Sequence, residues 1–189
     1  MVSRVDTPKL SPADLPERIA RGDLAAESEL VERFRPGLVA MLSHRLRHRH
    51  LAEDACQETL RIAIENLRAG SLREPARLAG YVCGIAANLA RKEYRRARRA
   101  AAHAVEAAGG SRDCPAESDM LIKERSRAIR QVLNELSTRD REVLTEFYLR
   151  EGDKSEICRR FRLSADQFDV IKFRALRRFE RLWSRRNEP

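Results

Sequence analysis

The chain has 189 residues, 42% apolar and 35% charged, with a net charge of +9 and a pI near 10.0. That length holds one domain or two small ones with modest cores. No apolar run approaches membrane-span length, and the opening MVSRVDTPKLSPADLP lacks the apolar core of a signal peptide, so the expected location is the cytoplasm.

The basic surplus points to a polyanionic partner, and clustering sharpens the inference. The cations concentrate in RKEYRRARR at 91–99 and KFRALRRFERLWSRR at 172–186. Cys56, Cys83, Cys114 and Cys158 stand far apart with no CxxC pair, which argues against a disulfide frame or zinc knuckle. Three of them occupy apolar positions of helical patterns and read as buried thiols.

In chain order the periodicity is helical throughout, with no convincing strand alternation. Residues 1–10 read as disordered, and Ser11-Pro12 opens a short helix through Ala20. A longer helix runs from Leu24 to Arg47, where Pro36 is expected to break or kink it. The next spans Leu51 to just before Ala69-Gly70-Ser71, and another runs from Pro75 to Arg99. Residues 101–124, rich in Ala, Gly and small polar residues, read as a linker, although helical patterning resumes near Met120 and continues to Trp183. The expected architecture is all-α. It comprises a tail and short helix (1–20), a helical domain (21–100), the tether (101–124) and a second helical domain (125–185).

In the first domain, Cys56, Leu60, Ala63 and Leu67 form a buried stripe at helical spacing. Asp54, Gln57, Glu58, Arg61 and Glu65 fall on the opposite side. An acidic and amide face on a basic protein suits a basic protein partner and repels DNA. It also suits an ordinary solvated face, and the pattern leaves both open. After Pro75, Leu78, Val82, Ile85 and Leu89 make the expected core side. Arg77, Tyr81, Gly84, Asn88, Arg91 and Arg95 share a second stripe. It offers cations for phosphates, an aromatic for stacking and an amide for base edges, the set that single-stranded nucleic acid requires. Taken singly, Tyr81 fits a core edge and Asn88 a cap.

In the second domain, Asp153 and Glu156 form a capping box before a short helix starting at Lys154, with Ile157 and Phe161 turned inward. Arg162-Leu163-Ser164 makes the turn. Ser164 and Gln167 cap a second helix with the core stripe Phe168, Ile171, Ala175, Phe179 and Leu182. A short helix, tight turn and longer basic helix spell a helix-turn-helix; the plainer alternative is an antiparallel helical pair. Asp166, Asp169, Phe173 and Arg177 face away from the core, flanked by Lys172 and Arg174. The carboxylates can accept from cytosine's amino group, and Phe173 can meet a thymine methyl. Lys172, Arg174, Arg177 and Arg178 are natural phosphate contacts. His44 and His48 lie one turn apart near His50, but no Glu-bearing metalloprotease motif accompanies them, so HRLRHRH reads as a basic helix end and not as a metal site.

These residues resemble the extracytoplasmic-function sigma factors of bacterial RNA polymerase. AEDACQETL at 52–60 is similar to the family's polymerase-docking motif, and LAGYVCGIAANLARKEYRR at 78–96 to the segment that follows, with Asn88 at its asparagine. LSTRDREVLTEFYLREGDKSEICRRFRLSADQFDVIKFRALRRFERL at 136–182 is similar to the family's second domain. The resemblance implies a non-catalytic specificity subunit without cofactors. Its first domain would dock on the beta-prime clamp helices through Asp54, Gln57, Glu58 and Arg61. The melted minus-ten strand would meet Tyr81, Asn88, Arg91, Lys92 and Arg95, with Arg73 in the 69–76 loop near a flipped base. The second domain would touch the beta flap and read the minus-thirty-five duplex through Ser164, Asp166, Gln167, Asp169, Lys172, Phe173, Arg174, Arg177 and Arg178.

The chain departs from the family pattern at Tyr81, where tryptophan is usual, at Leu78, where phenylalanine is usual, and at Asp169 and Ile171, where basic residues are common. An anti-sigma factor is a further expected partner, and the free chain is expected to be a monomer with mobile domains. Thr59, beside the docking acids, is a candidate phosphorylation site. Two other readings are a sigma-like decoy for an anti-sigma factor and a plain helix-turn-helix regulator using residues 129–185. The first would lose the docking and melting residues, which are present here. The second leaves the acidic face at 54–65 without a use.

Overall fold

The computed structural model describes residues 14–46, 48–103, 116–150 and 152–187. Among them every regular element is helical, as the periodicity predicts. Helix α1 (Leu15–Ala20) carries Pro16 in its first turn, where a missing N–H costs nothing, and buries Leu15 and Ile19 completely. Gly22, at φ +81°, turns the chain into α2 (Leu24–Leu46). Asp23 accepts from the backbone N–H groups of Ala25 (2.9 Å) and Ala26 (3.2 Å) at the head of that helix. Arg18 ties the corner by donating to Asp23 (2.7 Å) and Glu29 (2.9 Å).

Helix α2 does not break at Pro36: it is continuous from Leu24 to Leu46. Pro36 is exposed, as is Glu32, whose carbonyl loses its helical donor, so water can satisfy that carbonyl. Helix α3 (Arg49–Arg68) buries Cys56, Leu60, Ala63 and Leu67, the stripe its spacing predicts. Gly70, at φ +68°, ends it, and Arg68 clamps Glu27 of α2 through two bonds of 2.6 and 2.8 Å.

A 3-10 turn (Pro75–Arg77) leads into α4 (Leu78–His103). Its fully buried positions are Val82, Ala86, Ala87 and Ala90, with Leu78 nearly so, whereas Ile85 and Leu89 are only half-buried. The seam follows the alanines because small side chains let helix axes approach closely; the sequence placed it one position away. Helices α1 to α4 form the first bundle.

The segment expected as a tether is helical at its described ends, through His103 and from Ala116, where α5 (Ala116–Asn134) begins. Ser137 caps α6 (Thr138–Leu144) by accepting from the Asp140 N–H at 3.2 Å. A π-helical turn (Thr145–Leu149) widens the chain before α7 (Lys154–Phe161) and α8 (Ala165–Asn187).

The two halves pack on each other. Leu133, Leu144, Phe147 and Tyr148 of the second half join the same buried cluster as Leu38, Met41 and Val82 of the first. Arg45, itself buried, donates to the Phe147 carbonyl at 3.2 Å. Gly80 brings α4 against α8 so closely that a Cβ there would lie 3.3 Å from Leu176 Cδ2. In this structure the two halves, expected from the sequence to move independently, stand in one closed arrangement. Its determinants are small residues on α4 and a second apolar side of α2, neither of which periodicity assigns to a partner.

Candidate polymerase and nucleic-acid interfaces

The acidic face of α3 forms as its spacing predicts: Asp54, Gln57 and Arg61 are exposed and Glu58 is half-buried. Arg61 bridges Glu58 (2.7 Å) and Glu65 (2.5 Å), which holds the guanidinium along the helix. The same hydrogen bond keeps the Glu58 carboxyl below the usual carboxylate range. Two carboxylates on Arg61, with the exposed Asp54 one turn before Glu58, leave the face net acidic, suited to a basic protein surface.

Thr59 is not on that face. It is fully buried, and its hydroxyl donates to the Ala55 carbonyl at 2.6 Å, so it offers no site for a kinase in the folded chain. Its spacing already carried this information, because Thr59 lies three residues after Cys56 and four before Ala63, inside the buried stripe.

On α4 the expected nucleic-acid stripe divides. Asn88, Lys92 and Arg95 are exposed, Tyr81 is half-buried, and Arg73 is exposed in the loop before the 3-10 turn. Arg91 instead turns toward the second half. Its guanidinium lies 4.8 Å from the Phe147 ring centre and its Nε donates to the Ala87 carbonyl at 3.2 Å. Partial burial lowers its pKa from the ordinary arginine value. Arg77, at the start of the stripe, covers the Phe173 ring at 5.1 Å.

The helix-turn-helix takes its shape from local chemistry. The Asp153 carboxylate accepts from the Glu156 N–H at 2.8 Å while Glu156 reaches back to the Asp153 N–H, completing the predicted capping box. Arg162 adopts the left-handed conformation at φ 51° that stops α7. Ser164 and Gln167 cap each other's backbone N–H groups at 3.1 and 2.9 Å, opening α8. Phe168, Ile171 and Ala175 are buried as predicted, with Phe179 and Leu182 packed at the edge.

Outward from that core, Ser164, Asp166, Gln167, Asp169, Arg174, Arg177 and Arg178 are exposed, and Lys172 and Phe173 half-buried. Asp169 pairs with Lys154 (2.7 Å) and Lys172 (3.4 Å), so its departure from a basic residue has an internal partner. Burial opposes its ionisation, but the two ammonium groups outweigh that and keep its carboxyl below the usual range. Lys154, across the turn, was missed by sequence reasoning because no local spacing links it to Asp169.

Lys172 also lies over Phe147 (4.7 Å) and Phe168 (5.2 Å), a structural seat as much as a phosphate contact. Arg178 pairs with the buried Asp140 of α6, turning it to the flank of the exposed set. Arg177 donates to the Ala76 carbonyl of the first half at 3.4 Å. Among the described residues no cluster of His, Cys, Asp and Glu could hold a metal ion, and no helix is long and apolar enough to cross a membrane.

Among the described residues these features combine an all-helical fold, an acidic face on α3, a cationic helix beside it and a helix-turn-helix. Residues 30–100, spanning most of α2 through the described part of α4, match the family described as Sigma-70 region 2. That match covers 71 of the 189 residues and shows this segment to be similar to sigma-70 region 2. A search of curated proteins found no match.

Proposed function

We propose that the protein is an alternative sigma factor of the extracytoplasmic-function type, which binds core RNA polymerase and directs it to specific promoters. The observation that carries this reading is the exposed, net acidic Asp54–Gln57–Glu58 face of α3 within the sigma-70 region 2 match. A capped helix-turn-helix in the same chain supports it further. Asp54, Gln57, Glu58 and Arg61 engage the beta-prime clamp helices. Asn88, Lys92 and Arg95, with Tyr81, Arg91 and Arg73, follow the melted minus-ten strand. Base extraction costs a few kcal/mol, which capture on such a stripe offsets. The exposed face of α8, from Ser164 to Arg178, enters the minus-thirty-five major groove while the second half rests on the beta flap.

The two DNA elements are about 25 base pairs apart, on the order of 80 Å of duplex at ~3.4 Å per step. Helices α4 and α8 touch in the closed arrangement. Promoter engagement therefore requires the halves to separate, which releases Arg91 from Phe147 and Phe173 from Arg77. An anti-sigma factor fits this scheme as a partner that withholds the chain from polymerase.

Transcription by purified core enzyme, supplemented with this chain and fed a fragmented-genome template library, tests the proposal. The expected result is a set of start sites sharing two upstream elements. Transcripts that begin equally with and without the chain would refute promoter specificity.

A further inference from the structure

A cleft of about 200 Å³ lies where the halves meet, between Phe34, Gly37 and Met41 of α2 and Tyr148, Phe179 and Trp183 of the second half. Its lining is mostly apolar, yet polar groups are sunk into it. Tyr148 is 6% exposed, and its hydroxyl is buried without a hydrogen-bond partner. Glu180, on the same lining, is half-buried, and burial shifts its carboxyl toward the neutral form. The Cys83 thiol beside them is pushed up to about 12 by burial, so it stays uncharged. A stranded buried hydroxyl is costly, and whatever supplies its hydrogen bond gains that much in affinity.

The dimensions and chemistry select a ligand class. A dry apolar cavity on the order of 150 Å³ accepts benzene, so this cleft has room for one or two rings. A largely apolar lining with the uncharged Tyr148 hydroxyl and Cys83 thiol sunk into it favours a neutral molecule with a single hydroxyl or carbonyl, the charged Arg33, Arg125 and Glu180 sharing the rest of the lining. At the rim, the Arg125 guanidinium lies 5.1 Å from the Trp183 ring, leaving a cation and an indole beside any bound ring.

We propose that this cleft binds a neutral aromatic molecule of one or two rings whose hydroxyl or carbonyl meets the Tyr148 hydroxyl, and that the bound molecule holds the halves closed. Both halves line the cleft, so separating them dismantles it. A ligand that binds only the closed form shifts the population toward that form. The regulatory part rests on the sigma-factor reading, whereas binding itself does not.

The test uses 2-naphthol and the full chain, read by calorimetry and by the fluorescence of Trp183, the chain's single tryptophan. Wild type should bind one equivalent saturably, with Trp183 emission changing in step. Tyr148→Phe should keep the fold and weaken binding by about 2- to 10-fold, the value of one hydrogen bond. A Cβ at Gly37 meets nothing within 4 Å, so Gly37→Leu should fill the cleft and abolish binding without unfolding the chain, with circular dichroism checking the fold. No saturable binding by wild type, or equal binding by wild type and Tyr148→Phe, overturns the site. In a polymerase-dependent promoter assay, saturating 2-naphthol should lower wild-type activity and leave Gly37→Leu untouched; equal inhibition of both, or none of either, overturns the closing role. A chain that binds 2-naphthol but never binds polymerase would sink the sigma reading alone.

Discussion

Replacing Gly80 by leucine separates the stability of α4 from the closure of the two halves. A Cβ at this position would stand 3.3 Å from Leu176 Cδ2, inside the ordinary carbon–carbon separation of about 3.5–4.0 Å, and leucine adds three further carbons. Overpacking of this kind costs about 1–3 kcal/mol, charged here to the contact between halves. The closed form then loses roughly 5- to 150-fold against the open one. Within α4 the sign reverses, because leaving glycine in a helix interior gains about 0.8 kcal/mol. Small-angle scattering reads the first effect and helical content on melting reads the second. Wild type should scatter near the ~16 Å radius of gyration of a compact 189-residue chain. Gly80→Leu should expand by several ångströms without losing helix, taking ~5 Å as the scale of one helical turn. Superimposable scattering curves for the two proteins would refute the closed interface and its dependence on Gly80.

Other perturbations address single parts. Phe168→Ala empties the fully buried centre of the helix-turn-helix and should cost about 3–5 kcal/mol in denaturant titration, against the structure if below ~1 kcal/mol. Thr59→Glu would place an unpaired carboxylate at a fully buried position, so it should unfold or strongly destabilise the chain; a normal melting curve would mean that Thr59 is exposed after all. Asp153→Ala should lose about 0.5–2 kcal/mol by removing the α7 cap, seen as a lower denaturant midpoint. The Asp153 carboxyl is held below its usual range by the Glu156 N–H and the Ser155 hydroxyl, so its contribution is complete above the unfolded value near pH 4 and lost as pH falls through the folded one. Asp153→Asn should accordingly flatten the acid limb of stability, and an unchanged limb would contradict that assignment.

The local grammar of this fold was legible in the sequence. Both capping boxes, the Arg162–Ser164 turn, the buried stripes of α3 and α8 and the exposure of Asp54 and Gln57 follow from spacing within one or two turns. Contacts between distant segments were not legible. Asp169 looked like a misplaced acid until Lys154 closed on it, and Arg178 looked like a phosphate contact although Asp140 holds it from α6. The α4 seam slid from Ile85 and Leu89 to Ala86 and Ala90 because bulk suggests burial while close approach selects small residues. Arg91 read as part of a nucleic-acid stripe and Gly80 had no assigned use; their roles between the halves depend on Phe147 and on Leu176 of α8, both far along the chain.

The most direct test of the sigma-factor reading is co-elution of the purified chain with core bacterial RNA polymerase, wild type beside Asp54→Arg/Gln57→Ala. Both substituted positions are exposed, so the double variant should fold normally. The wild type should co-elute as a stoichiometric complex and the double variant should elute alone. A well-folded wild type that fails to bind, or a double variant that binds as tightly, would contradict the docking face and with it the proposed function.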